Sequence, residues 1–104
     1  MTHEQHLTTI AEFMGWEYEK GYTYFIQTTE KYKTIFRVLS FDTMRMVFDR
    51  WREQCAKMGN KLYWSYLPDY DKQYSSISSE IISGTPSDCA ARLAEAIEWW
   101  KSVK

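Results

Sequence analysis

Glycine and proline, the residues that break regular structure, are few: four and two among 104 positions. With aromatic residues at 17%, that scarcity excludes a disordered or low-complexity chain. Cysteine occurs only at Cys55 and Cys89. Both fall on the apolar faces of predicted helices, where cysteine serves as a small apolar residue, and they do not make a disulfide framework. No apolar run approaches the roughly 18 residues of a membrane span. The polar start, Met1 to His6, lacks the charged and apolar regions of a signal peptide. The expected compartment is therefore the cytoplasm, without membrane contact.

An excess of one charge is also missing. The net charge is −1, and it is locally mixed: Glu17, Glu19 and Glu30 stand against Lys20, Lys31, Lys33 and Arg37. No block reads as a basic footprint for a phosphate backbone, and no acidic run imitates one. The serines of Tyr74 to Ser79 carry no glycine pattern for a phosphate cradle.

What the chain does have is alternation between helical and extended patterns. The length fits a single domain over residues 1–104. Leu7, Ile10, Ala11 and Met14 form one stripe of a first helix, beginning near Thr2 or His3 and stopped by Gly15. From Trp16 to Leu39 the period changes to two. Tyr22, Tyr24 and Ile26 face one side, Thr23, Phe25 and Gln27 the other. Thr34 to Leu39 reads as the returning strand of a hairpin with its loop near Thr29-Glu30-Lys31. Lys20-Gly21 is a competing turn, so the first strand starts either at Trp16 or at Tyr22. Met44, Val47, Phe48, Trp51, Cys55 and Met58 then stripe a second helix over about Phe41 to Met58, with Ser40 as N-cap candidate.

Lys61 to Leu67 alternates again, with Leu62, Trp64 and Tyr66 against Tyr63, Ser65 and Leu67. Pro68 to Asp71 is a turn signal. Gln73 to Ser83 reads as a strand with Ile77 and Ile81 on one side and Ile82 on the other; the alternative is a helix from Asp69 to Ile82. Thr85-Pro86 opens a final helix, striped by Cys89, Leu93, Ala96, Ile97, Trp100 and Val103. The expected fold is therefore α+β in the order α-β-β-α-β-β-α: three helices packed on a roughly four-stranded, mainly antiparallel sheet.

Ala11-Glu12-Phe13-Met14-Gly15-Trp16 closes the first helix, and Ala94-Glu95-Ala96-Ile97-Glu98-Trp99-Trp100-Lys101 closes the chain. This layout resembles small uncharacterised bacteriophage and prophage proteins and is similar to the phage α-β-α sandwich domain group. The matching residues lie at the two ends. The chain departs from the pattern at Arg50-Trp51-Arg52 and at Trp99-Trp100-Lys101. The resemblance implies a viral or mobile-element origin and the cytoplasm of an infected cell. It transfers no catalytic residue.

Chemical constellations are sparse. His3 and His6 have the one-turn spacing of a metal pair, but at a fraying terminus with only Glu4 nearby as an oxygen donor a solvated helix is the better explanation. Asp69 and Asp71 after Pro68 resemble a carboxylate pair, though in a turn such side chains satisfy local amides. Cys55 sits late in its helix, where the dipole opposes a thiolate. No catalytic residue, metal site, cofactor or small-molecule substrate is assigned.

The remaining constellation is aromatic. Tyr22, Tyr24, Tyr32, Tyr63, Trp64, Tyr66, Tyr70 and Tyr74 crowd the predicted strands and turns. A sheet covered on one face leaves some rings exposed, and exposed Tyr and Trp mark protein contacts. Trp99 is rotated about 100° from the apolar stripe that holds Trp100. Tyr63, Trp64, Tyr66 and Trp99 are therefore the candidate partner-binding residues. The expected function is that of a non-enzymatic protein-interaction module, host-directed or self-associating as a homodimer. The alternative is single-stranded nucleic-acid binding through an aromatic sheet face.

Overall fold

The structure is a computed structural model that describes residues 2–59 and 67–104. Its elements run α1 (His3–Met14), β1 (Tyr24–Thr28), β2 (Lys33–Arg37), α2 (Phe41–Ala56), α3 (Leu67–Ser83) and α4 (Pro86–Val103).

Both ends of α1 are written locally. Thr2 and Gln5 form a reciprocal capping box: the Gln5 amide donates to Thr2 Oγ1 at 3.2 Å and the Thr2 amide to Gln5 Oε1 at 2.7 Å. At the other end Gly15 takes a left-handed φ of 73°. The amide of Trp16 then reaches Ala11 O at 2.9 Å and that of Gly15 reaches Glu12 O at 3.3 Å, the bond pair of a Schellman motif.

Both candidate turns beyond α1 exist. Gly21, at φ 90°, lets the Tyr22 amide bond Glu19 O at 3.0 Å, so the chain doubles back before β1 begins. Glu17 consequently pairs with Ile26, exchanging bonds of 2.7 and 3.0 Å. The hairpin turn follows at Thr29 to Tyr32, where the Thr29 amide bonds Tyr32 O at 2.9 Å. Its register sets Tyr24 against Arg37, Phe25 against Phe36 and Ile26 against Ile35. Phe25 is fully buried and Phe36 partly so; Trp16 stacks on Phe36 at 4.6 Å and tilts onto Phe25 at 5.3 Å.

The helices supply the rest of the core. On α2, Met44, Val47, Phe48, Trp51 and Cys55 are buried, the stripe expected from their spacing. α4 is buried on a broader front, with Ala90, Ala94 and Ala96 beside Cys89, Leu93 and Ile97. Those alanines let it pack against α1, α2 and α3 together. Thr85 caps α4, accepting from the Asp88 amide at 3.1 Å, and Pro86 opens it.

The expected four-stranded sheet under three helices does not form. The described residues make four helices and one two-stranded antiparallel sheet, an α-rich fold. Residues 61–66, the expected third strand, lie outside the described residues, and Leu67 already opens α3. The expected fourth strand, Gln73–Ser83, is helix. The cause is a degeneracy of spacing: Ile77 and Ile81 stand four apart, which satisfies period two and period 3.6 alike. Tyr70 and Tyr74 break the tie. Tyr70, Tyr74, Ile77 and Ile81 form a helical stripe, with Ile77 fully buried and Tyr70 and Ile81 packed against the core. Pro68, read as a turn, instead occupies the first turn of α3, where its missing N–H costs nothing.

Candidate functional site

Of the candidate contact residues, Tyr63, Trp64 and Tyr66 lie outside the described residues. Trp99 is half-buried on α4, its ring 6.2 Å from that of Trp51. Its indole N–H is buried and has no hydrogen-bond partner among the described residues. Of two further rings named from the sequence, Tyr70 is half-buried and stacks on Trp51 at 5.1 Å and 7°, while Tyr74 stays exposed although its ring tilts onto Phe48 at 5.1 Å.

Exposed large apolar side chains occur on α2 at Met46 and on α3 at Tyr74 and Ile82, and a further group, Tyr22, Tyr32, Ile35 and Leu39, lies on and beside the hairpin. Alternation puts Tyr24, Ile26, Ile35 and Arg37 on the face turned away from Phe25 and Phe36. Tyr22 extends that face, its ring 5.1 Å from Tyr24. Ile35 and Tyr32 are each 64% exposed and Leu39 48%. Sequence alternation identified Tyr22, Tyr24 and Ile26 as one face, but not Ile35 as its most open aliphatic residue.

The two edges of the hairpin differ. In the ladder Val38 bonds Thr23 and Thr29 bonds Tyr32, so odd-numbered residues of β1 pair inward with even-numbered residues of β2. The amide and carbonyl of Ile26 point outward, and Glu17 closes them. On β2 the outward groups belong to Lys33, Ile35 and Arg37. Among the described residues no strand pairs with them. Neither Lys33 nor Arg37 has a salt-bridge partner there; the ion pairs are Arg50–Glu53, Arg52–Asp49, Arg92 with Glu80 and Glu95, and Lys101–Glu98.

A cleft of about 510 Å³ opens beside the end of β2, between His3, Glu4 and Leu7 of α1 and the Tyr18–Thr23 and Arg37–Leu39 segments. The Tyr18 phenol donates to Glu4 in its wall. Burial, reinforced by that carboxylate, pushes the phenol up to about 12, so it stays protonated at neutral pH. This bond fastens α1 to the extended segment that covers β1.

The other candidate groups are placed without convergent chemistry. Burial first, then neighbouring positive charge including His3, lowers His6 from the ordinary imidazole value. Asp69 lies in the first turn of α3, where it favours the helix dipole. Asp71 is two positions on and points elsewhere. Among the described residues no group of three or more His, Cys, Asp or Glu side chains is placed to hold a metal ion. No helix there is long and apolar enough to cross a membrane.

Cys55 and Cys89 are free and fully buried. Burial raises their thiols from 9.0 to about 12 and about 11. A raised acid holds its proton in the folded state after the unfolded chain has released it. Stability from these groups is therefore complete below pH 9 and falls as pH rises toward 11. Urea midpoints should drop across that interval, and a Cys55→Ala/Cys89→Ala variant should show a shallower slope. Native protein should also resist a thiol reagent at pH 8 until urea unfolds it. Rapid native labelling would contradict the burial.

No protein-family model matches this chain, and neither the curated proteins nor the solved structures include one significantly similar to it.

Proposed function

We propose that this chain is a protein-interaction module without catalytic activity of its own, and that its hairpin is the docking surface. One observation carries the reading: the outward backbone groups of β2 at Lys33, Ile35 and Arg37 lack a strand partner among the described residues, beside an exposed Ile35. An edge of this kind receives extended chains readily, because each main-chain bond it forms is independent of the partner's side chains. A phage or mobile-element setting, implied by the two ends of the chain, suits a small accessory protein that acts by contact with a host protein.

A photo-crosslinking residue placed at position 35, compared with one at exposed position 95 on α4, tests this in the source cell. A discrete light-dependent protein adduct at position 35 and not at position 95 supports the reading. Equal or absent adducts at both positions would remove it.

A second reading has its own support. The Tyr22–Tyr24 ring pair sits beside Arg37, a small stacking platform for single-stranded bases. Glu19 opposes it, since its carboxylate is near enough to raise the Tyr22 phenol from its ordinary value, and the net charge is −1. Quenching of tyrosine and tryptophan fluorescence by an oligothymidylate, lost steeply with salt, is the result that favours this alternative.

A further inference from the structure

The outward-facing side chains of β2 alternate cation, isoleucine, cation. Their cross-strand neighbours on β1 are Thr28 for Lys33, Ile26 for Ile35 and Tyr24 for Arg37. None of those is acidic. The carboxylates on the β1 side belong to Glu17, paired beyond β1, and to Glu19, whose carbonyl accepts from the Tyr22 amide in the turn before β1. Glu17 and Glu19 thus lie past β1, and Glu4, across the cleft that Arg37 lines, is bonded to Tyr18, while the β2 edge presents two cations without salt-bridge partners among the described residues.

This charge order discriminates between possible occupants. The residues of β2 whose amides point outward are also those whose side chains lie on the outer face, so an added strand meets Lys33, Ile35 and Arg37 directly. A second copy is a poor fit. An antiparallel two-fold centred on Ile35 sets each Lys33 against Arg37 of the second copy, and like charges directly opposite are destabilising. Shifting the register by two residues either way sets Ile35 against Arg37 or against Lys33 of the second copy. The two cations thus act against self-association of the edge.

We infer that β2 receives an extended acidic segment of a partner protein as a third strand of the sheet. An apolar residue of that segment lies opposite Ile35, with carboxylates two positions to either side opposite Lys33 and Arg37. The inference rests on the docking reading above and specifies its partner: the ladder bonds give attachment, Ile35 gives an apolar contact, and the flanking cations select acid over base.

The probe is a capped peptide of about nine residues that alternates threonine with glutamate, valine and glutamate at its centre. Its counterpart carries lysine in place of both glutamates. Binding is followed by shifts of the backbone amides and by their hydrogen exchange. The glutamate peptide should bind, protect the Ile35 and Arg37 amides, and exceed the lysine peptide by roughly tenfold, as two opposed charge pairs of a few tenths to 1 kcal/mol each imply. The K33E/R37E variant, changed at exposed side chains, should reverse the preference. Equal binding of both peptides with protected amides would overturn the acidic specificity and leave the docking edge standing. Slow exchange of the Ile35 amide in the free protein would overturn both, because the edge would already be filled. So would peptide-independent shifts at Tyr22 and Tyr24 on adding oligothymidylate, with no response to either peptide.

Discussion

Trp51→Ala is expected to destabilise the fold by about 3–5 kcal/mol, the range for removing a large buried ring. Trp51 is fully buried on α2. Its indole N–H donates to the Ala96 carbonyl of α4 at 3.0 Å. Its ring stacks on Tyr70 of α3 at 5.1 Å and on Phe48, a turn earlier in α2, at 6.1 Å. One side chain therefore ties three helices together. Total stability of a domain this size is about 5–15 kcal/mol, so the loss consumes a large share of it. Urea unfolding followed by circular dichroism should show the midpoint falling sharply. Trp51→Phe retains most of the ring and forfeits the N–H donor, and should cost about 1–2 kcal/mol. If Trp51→Ala unfolds within about 1 kcal/mol of the parent, Trp51 does not join α2 to α3 and α4 as described.

Ile77→Asp should cost about 4 kcal/mol, because it sets a carboxylate without a partner in a dry core. Ile77 is the buried anchor of α3, fully enclosed, while most of that helix is polar. Its partner variant is Ser79→Glu. In the helix Ser79 is exposed, so the change should lie within about 0.5 kcal/mol of the parent. In a strand over Gln73–Ser83, Ser79 would share the covered side with Ile77, and the glutamate would be as damaging as the aspartate. Matched losses at both positions, measured by thermal or urea unfolding, would restore the strand and displace α3.

The contrast between these segments shows how the chain encodes its fold. α1 and α4 carry their own boundaries: Thr2 with Gln5, Gly15 at positive φ, and Thr85 with Pro86 and Asp88. Local hydrogen bonds close these ends, so a few consecutive residues suffice to read them. The stripe of α2 and the period-two stretch around Phe25 are equally plain. The α3 segment was ambiguous because two isoleucines four apart fit either period, and its serines weaken both patterns. Tyr70 and Tyr74 resolve it only once they are seen to pack on Trp51 and Phe48 of another element.

The candidate site was less readable than the fold. Aromatic abundance pointed to surplus rings, but Tyr70 entered the core and Trp99 became half-buried beside Trp51. A ring's exposure depends on which helix covers it, and that is a property of packing. The amino-acid sequence by itself determined where most elements begin and end, which faces of α1, α2, α4 and the hairpin are apolar, and that Cys55 and Cys89 face inward. The tertiary structure alone decided that Glu17 bridges the β1 edge of the hairpin at Ile26 while β2 finds no partner strand among the described residues. Side-chain alternation specifies the faces of a strand, whereas its neighbours are chosen by how the chain folds back on itself.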